Sequence, residues 1–241
     1  VTVLGARRGR FPWDRQAVAA LVDLAGGYTV LHSHNLAAHQ YAALASRKSG
    51  VPLVHTEHGT NPHVVGVKNR LRLRLLARRT QRLVAVSEHT RKAMHAAWGV
   101  PKGCVQVVAN GVSPHPEGGG ARRAALRQAM GIPLSATVIG SVGRLAAVKG
   151  YDRLLRCFAT VRQTEAVPGG LWLVLVGEGP ERERLESLAC ELGLKDVVCF
   201  TGHRDDARSY YDMMDVFTLS SHSEGLSLSL LEAMAAGCAA L

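Results

Sequence analysis

The sequence predicts an α/β protein of two domains, each a parallel sheet with helices on both faces. Three observations predict it. Short β-rich runs alternate with amphipathic helical stretches along the whole chain, the pattern of repeated βαβ units. That periodicity stops once, between Ser113 and Gly120, where Pro114, Pro116 and the Gly118-Gly119-Gly120 triplet fall together. The composition, 47% hydrophobic and 20% charged over 241 residues, supplies a proper core and argues against disorder.

In chain order, the predicted strands are Val1–Leu4, Thr29–His32, Leu53–Thr56, Arg82–Val86 and Val105–Val108, then Thr137–Val142, Leu171–Val176, Val197–Thr201 and Val216–Leu219. Helices are expected between them, over Arg15–Leu24, Ala37–Lys48, Lys68–Arg79, Glu88–Trp98, Ala121–Met130, Tyr151–Gln163, Pro180–Leu192 and Leu228–Ala236. The break sets an N-terminal domain at 1–113, a linker at 114–120 and a C-terminal domain at 121–241. Their facing crevice is the expected ligand site.

The net charge of +10 and pI near 9.8 favour polyanionic company: nucleotide diphosphates, anionic lipid headgroups or nucleic acid. Aromatics are only 5% and do not interleave with the basic stretches, so no nucleic-acid partner is expected. Cys104, Cys157, Cys190, Cys199 and Cys238 are odd in number and irregular in spacing, which fits reduced, mostly buried thiols of a cytoplasmic protein. No apolar run is long enough to cross a bilayer and no signal peptide is visible.

The most informative stretch is Ser220-Ser-His-Ser-Glu224-Gly225-Leu226-Ser227-Leu-Ser-Leu-Leu-Glu232-Ala-Met-Ala-Ala-Gly237. It carries two carboxylates across a strand-to-helix junction. Glu224 and Gly225 fall in the loop at a strand's carboxyl end, where open α/β sheets bind ligands. Glu232 falls about one turn into the following helix, whose free N–H groups suit a phosphate. The run resembles the E-x7-E signature of retaining glycosyltransferases of family 4, the group 1 type with the GT-B fold of two Rossmann-like domains. Gly140-Ser-Val-Gly143-Arg144-Leu-Ala-Ala-Val-Lys149-Gly150 resembles the same family's G-R-L-x-x-x-K-G motif.

The resemblance implies a nucleotide-diphosphate sugar as donor and a glycan or lipid-linked acceptor, with retention at the anomeric carbon and no metal or other cofactor. Arg144 and Lys149 would neutralise the departing diphosphate. Glu224 would hold donor-sugar hydroxyls and Glu232 the ribose, with Gly143, Gly225, Leu226 and Ser227 completing the donor site. Thr201-Gly202-His203-Arg204 resembles the segment whose backbone meets the base. Gly177-Glu178-Gly179 resembles a V-G-x-G-P turn and reads as mainly structural. Pro52-Leu-Val-His55-Thr-Glu57-His58-Gly59-Thr60 resembles a hydrophobic strand ending in H-G, which gives His58 a donor-sugar hydroxyl on the first domain's side. The blander readings are a solvated loop acid and an exposed helix glutamate, surface cations capping a helix, and a loop histidine.

Leu31-His32-Ser33-His34-Asn35 resembles the family's H-x-H near the acceptor side; with Glu57 and His58 it also raises a metal site, which the rest of the sequence does not support. Ser87 is expected to cap a helix. Asn110-Gly111 is expected to turn the chain between domains in left-handed geometry. The basic run from Lys68 to Arg82 reads first as an ordinary helix, leucines in the core and arginines in water, and second as a peripheral contact with an anionic cytoplasmic membrane face. Family members begin before the equivalent of Val1 and continue past Gly237, so both margins are expected to be missing; Cys238-Ala-Ala-Leu241 also has the form of a prenylation signal, set below truncation at the next strand. Two alternatives stay open: a sugar-nucleotide 2-epimerase on the same scaffold, and a non-catalytic sugar-nucleotide-binding fragment.

Overall fold

A computed structural model describes residues 14–59, 66–101, 103–164 and 167–241. The expected strand Val1–Leu4 lies outside them. The described residues divide into two compact units, one falling within 1–110 together with 224–226 and the other within 111–223 together with 227–241.

The first unit runs α1(Arg15–Ala25), β1(Leu31–His34), α2(Asn35–Ser49), β2(Leu53–Glu57), α3(Val67–Ala77), β3(Arg82–Ala85), α4(Glu88–Trp98) and β4(Val105–Val107). Its strands form one parallel sheet in the order β1-β2-β3-β4. The helix starts follow their capping residues: Asp14 accepts from Ala17 N at 3.0 Å and Ser87 accepts from Thr90 N at 3.1 Å. Gly50 and Gly99 close α2 and α4 in left-handed geometry. β1 starts two residues later than expected because Thr29 and Val30 stay outside the ladder, whose first pair is Leu31 with Leu53.

The second unit runs α5(Gly119–Ala129), β5(Thr137–Val142), a 3₁₀ turn at Ala147–Lys149, α6(Tyr151–Thr164), β6(Leu171–Val176), α7(Arg182–Glu191), β7(Val198–Gly202), a 3₁₀ turn at Ala207–Met213, β8(Val216–Phe217), α8(Leu228–Ala235) and β9(Ala239–Ala240). The helix expected from Ala121 begins two residues earlier. Gly118, at φ 84°, turns the chain, and Gly119 and Gly120 already belong to α5. β8 ends at Phe217, but Thr218 N still donates to Gly140 O at 2.8 Å, so the extended path continues toward Leu219.

Strand order in this sheet is β7-β6-β5-β8-β9, all parallel. The chain steps outward from β5 through β6 to β7, then returns to the other side of β5 as β8. That reversal leaves a crevice beyond the carboxyl ends of β5 and β8. One core cluster packs Leu145, Leu155, Phe158, Leu173, Leu175 and Leu185 on one face of the sheet; a second packs Val138, Val174, Tyr211, Met213 and Phe217 on the other.

Arg127 is fully buried. Its Nε donates to Met213 O, its Nη1 to Leu134 O and Ala136 O, and its Nη2 to Met213 O and Asp215. Asp215 also accepts from Val138 N at 2.7 Å and pairs with Arg123 at 2.6 Å. A buried guanidinium is tolerable only when its N–H groups are satisfied in this way. The arrangement ties α5 to the starts of β5 and β8.

Two expectations are corrected. The cysteines are free, but Cys104, Cys157 and Cys190 are exposed and Cys199 and Cys238 half-buried, so the thiols are not mostly buried. Cys157 and Cys190 lie on the outward faces of α6 and α7, where their neighbours Phe158 and Ala189 take the core positions. Asn110 and Gly111 are not left-handed; among described residues Asn35 is the non-glycine with positive φ, and the Asn110 side chain instead donates to Leu226 O at 3.0 Å.

Inside the first unit, His39 and His55 stack at 4.1 Å between centroids, and both lie parallel to Trp98 at 5.3 and 5.6 Å. Thr80 Oγ1 donates to Leu76 O, so His39 Nε2–H donates to Thr80 Oγ1 at 2.8 Å, and buried His39 Nδ1 has no hydrogen-bond partner among the described residues. Burial, then His55, pushes the His39 pKa down to about 3. Between the unfolded value of 6.5 and the folded value of about 3, the unfolded chain binds the proton and the folded chain does not. Stability is therefore complete above pH 6.5 and falls with acidification, by up to about 1.4 kcal/mol per pH unit. Thermal melts followed by tryptophan fluorescence from neutral to acid pH check this; a His39→Gln variant should flatten the slope.

Candidate functional site

The carboxyl end of the second sheet is built from three loops. After β5, the chain alternates Gly143, Arg144 and Leu145. Leu145 is fully buried and anchors the turn in the core, which leaves Arg144 exposed on the crevice side. After β6, Gly177-Glu178-Gly179 lies backbone against backbone on that turn. Gly143 N donates to Val176 O at 2.9 Å, Leu145 N to Glu178 O at 3.0 Å, and Glu181 N to Leu145 O at 3.0 Å. Gly177 sits at φ +139°; a Cβ there would strike the Gly143 carbonyl, and one at Gly179 would strike the Leu145 carbonyl. The G-x-G pair is thus required by loop-on-loop contact.

A cavity of about 370 Å³ opens at this junction, lined by Gly143, Arg144, Gly177, Glu178, His203 and Arg204 among others. The Arg204 guanidinium also lies 5.6 Å from the centroid of the Tyr210 ring. Sequence reasoning implicated only the backbone of the 201–204 segment; the Arg204 residue forms part of the wall. Glu178, also in the wall, pairs with Arg182 at 2.6 Å, and this hydrogen bond holds its carboxyl below the ordinary value.

After β8, the Ser220 loop is strapped to the Lys149 turn. Ser220 Oγ donates to Lys149 O at 2.8 Å, and His222 N donates to Val148 O at 2.8 Å. Gly150 is left-handed at φ +63°, and its open side faces the Ser220 carbonyl, which also accepts from Arg153. The Lys149 side chain runs beside Gly143: a Cβ on that glycine would lie 3.9 Å from Lys149 Nζ and 3.0 Å from the Tyr151 hydroxyl. The loop after β5 therefore presents Arg144 at the cavity wall and Lys149 beside Gly143.

Ser227 caps α8, its Oγ accepting from Leu230 N at 3.4 Å. Glu232 lies on α8 and is half-buried. Its Oε2 accepts from the Tyr211 hydroxyl at 2.9 Å, and Arg208 Nε lies 4.0 Å from its Oε1. Tyr211 is 1% exposed. Burial first, and the Glu232 carboxylate next, push its hydroxyl well above the ordinary phenol value, so it stays a donor. Neither Tyr211 nor Arg208 was anticipated. The signal available was the polar-aromatic run Arg208-Ser-Tyr-Tyr-Asp212 just before a strand. Arg208 follows Ala207, which lines the cavity.

Glu224, Gly225 and Leu226 group with the first unit. There the Gly225 backbone lies against the His58 carbonyl, with no room for a Cβ. His58 Nε2 and His34 Nδ1 are 2.8 Å apart, so one carries the shared proton. Burial, then His34, hold His58 below the ordinary histidine value, and it is neutral at pH 7. His32 bonds Thr56 Oγ1 at 2.9 Å and packs on His34 at 4.2 Å between centroids. The expected H-x-H thus engages β2 and its following loop. Among the described residues, no group of three or more His, Cys, Asp or Glu is placed to hold a metal ion.

Two family models match the chain: the one described as glycosyl transferases group 1 over residues 122–241, and glycosyltransferase family 4 over residues 1–116. The D-inositol 3-phosphate glycosyltransferase of Saccharomonospora viridis is 32% identical over 236 residues, which covers 88% of this chain and 53% of that protein. The lipopolysaccharide core biosynthesis glycosyltransferase LpsE of Rhizobium meliloti is 36% identical over 111 residues, covering 46% of this chain and 31% of that one. Among solved structures, Anabaena HepE in complex with UDP and glucose superposes with a TM-score of 0.78 at 25% identity, over 93% of this chain and 62% of that one. The chain spans about half the length of the inositol-phosphate glycosyltransferases it matches.

The backbone interlock yields a direct test. Gly177→Ala should cost about 2–5 kcal/mol, from a left-handed backbone plus a collision with Gly143. Gly193→Ala, also left-handed but in open space, should cost only about 1–2 kcal/mol. Urea unfolding of the two variants checks the difference.

Proposed function

Since this chain belongs to the group 1 glycosyltransferases, we propose that it takes part in moving a sugar from a nucleotide-diphosphate donor to a glycan or lipid-linked acceptor, with retention at the anomeric carbon. The observation that carries this reading is the cavity at the carboxyl end of the second sheet. Two cations, Arg144 and Lys149, belong to the single turn after β5, and that turn is bonded to the loop that leads to Glu224. A leaving diphosphate gains negative charge as the glycosidic bond breaks. Fixed cations at that point stabilise the transition state more than the ground state.

In this reading Arg144 supplies a planar fork of donors and Lys149 a compact ammonium. The wall made by Gly143, Glu178, His203 and Arg204 takes the nucleotide, and Glu232 accepts from its ribose hydroxyls. Tyr211 is a positioning residue: its hydroxyl holds Oε2 of the Glu232 carboxylate, whose Oε1 lies near Arg208. By resemblance, Glu224 takes donor-sugar hydroxyls, with Gly225, Leu226 and Ser227 beside it. His58, neutral and bonded to His34, takes a sugar hydroxyl by the same resemblance. Retention implies a front-face route with an oxocarbenium-like transition state. Complexes of HepE with UDP and with UDP-glucose support a uridine diphosphate sugar as the first donor to test. The relatives named for inositol 3-phosphate and for lipopolysaccharide core biosynthesis support a polyol or glycan acceptor.

Calorimetric titration with uridine, guanosine and adenosine diphosphate sugars tests the donor. Glu232→Ala should weaken nucleotide-sugar affinity by roughly tenfold or more, and Tyr211→Phe by a few-fold, at unchanged thermal stability in the second case within about 1 kcal/mol. Unchanged affinity in Glu232→Ala removes that residue from the site. In a full-length enzyme, Arg144→Ala should lower kcat by roughly a hundredfold with a smaller change in KM. Product analysis without acceptor identifies a 2-epimerase by alteration of the nucleotide sugar itself.

A further inference from the structure

The basic helix α3 has two faces of different character. Leu73 and Ala77 are buried and pack with Met94 and Trp98 of α4. On the opposite side, Val67, Leu71 and Leu75 are 83%, 58% and 46% exposed. Their four-residue spacing sets them in one stripe along the helix. The leucines are therefore not all core residues, which corrects the first reading of this segment. Lys68, Arg74, Arg78 and Arg79 are exposed around the stripe, while the Arg70 side chain lies on the α4 side, beside Gly99. Between Glu57 and Glu88 the sequence contains seven Lys or Arg and no Asp or Glu.

An apolar stripe in a purely cationic frame selects its partner. A second copy of this chain would bring the same positive frame and repel it. A bilayer with anionic headgroups satisfies both parts at once: leucines enter the acyl boundary, and the long basic side chains reach back to the phosphates. We propose that α3 is a docking face for an anionic lipid bilayer, with Val67, Leu71 and Leu75 inserted and Lys68, Arg74 and Arg78 on the headgroups. The inference rests on the surface of α3 and is independent of the donor site.

Vesicle co-sedimentation tests it, with phosphatidylcholine alone and with added phosphatidylglycerol, at low and high salt. Binding is expected only with the anionic lipid and should weaken as salt rises. The double variant Leu71→Ser/Leu75→Ser should lower partitioning by roughly tenfold or more, since two leucine side chains leave the acyl boundary. Arg74→Glu/Arg78→Glu should lower it by at least roughly tenfold. All four positions are exposed, so circular dichroism and melting should not change. Equal binding to neutral vesicles, or leucine-variant binding equal to that of the parent chain, overturns the proposal. So does lipid-independent self-association that the leucine variant abolishes, which assigns the stripe to a second copy. Calorimetry with nucleotide sugars on the same variants should match the parent chain, so loss of lipid binding and loss of donor binding are read separately.

Discussion

The second unit depends on one contact, the backbone of the loop after β6 lying directly on the backbone of the loop after β5. Three hydrogen bonds link them, and two glycines remove the side chains that would hold them apart. With Leu145 drawn into the core, Arg144 has only the crevice to occupy. The cavity wall, the direction of the guanidinium and the path of the chain toward Lys149 follow from that approach. What this contact fixes is the backbone of the turn that carries Arg144.

Beneath this surface, Arg127 and Asp215 fix the opposite end of the same strands. The aspartate accepts from the backbone of β5 and sits just before β8, so it holds together the two strands between which the sheet reverses. Above it, Tyr211 occupies the interior beside Phe217 and passes a hydroxyl to Glu232. A single packed column thus connects the core to a carboxylate on α8.

Much of the fold was legible because βαβ alternation leaves strong marks. The strands at Thr137–Val142 and Leu171–Val176 and the helix at Glu88–Trp98 were read to the residue, each bounded by capping or turn residues. The Gly-Arg-Leu turn and the glutamate-bearing loop were legible as motifs. Less legible was what depends on distant sequence. Nothing local to Arg127 announces burial, because its partners lie at Leu134, Ala136, Met213 and Asp215. The Tyr211–Glu232 bond joins residues 21 apart across a strand. The outward leucines of α3 escaped because alternating Leu and Arg gives no clear helical face, and only the packing on α4 decides which leucine is inside.

The strap between the Lys149 turn and the Ser220 loop has its own consequence. A hydroxyl, two carbonyls, an amide and a left-handed glycine join segments separated by some 70 residues of sequence, so neither opens while the other stays shut. Amide exchange across the two should proceed as one cooperative event. The chain has made a single mechanical part out of two loops on neighbouring strands.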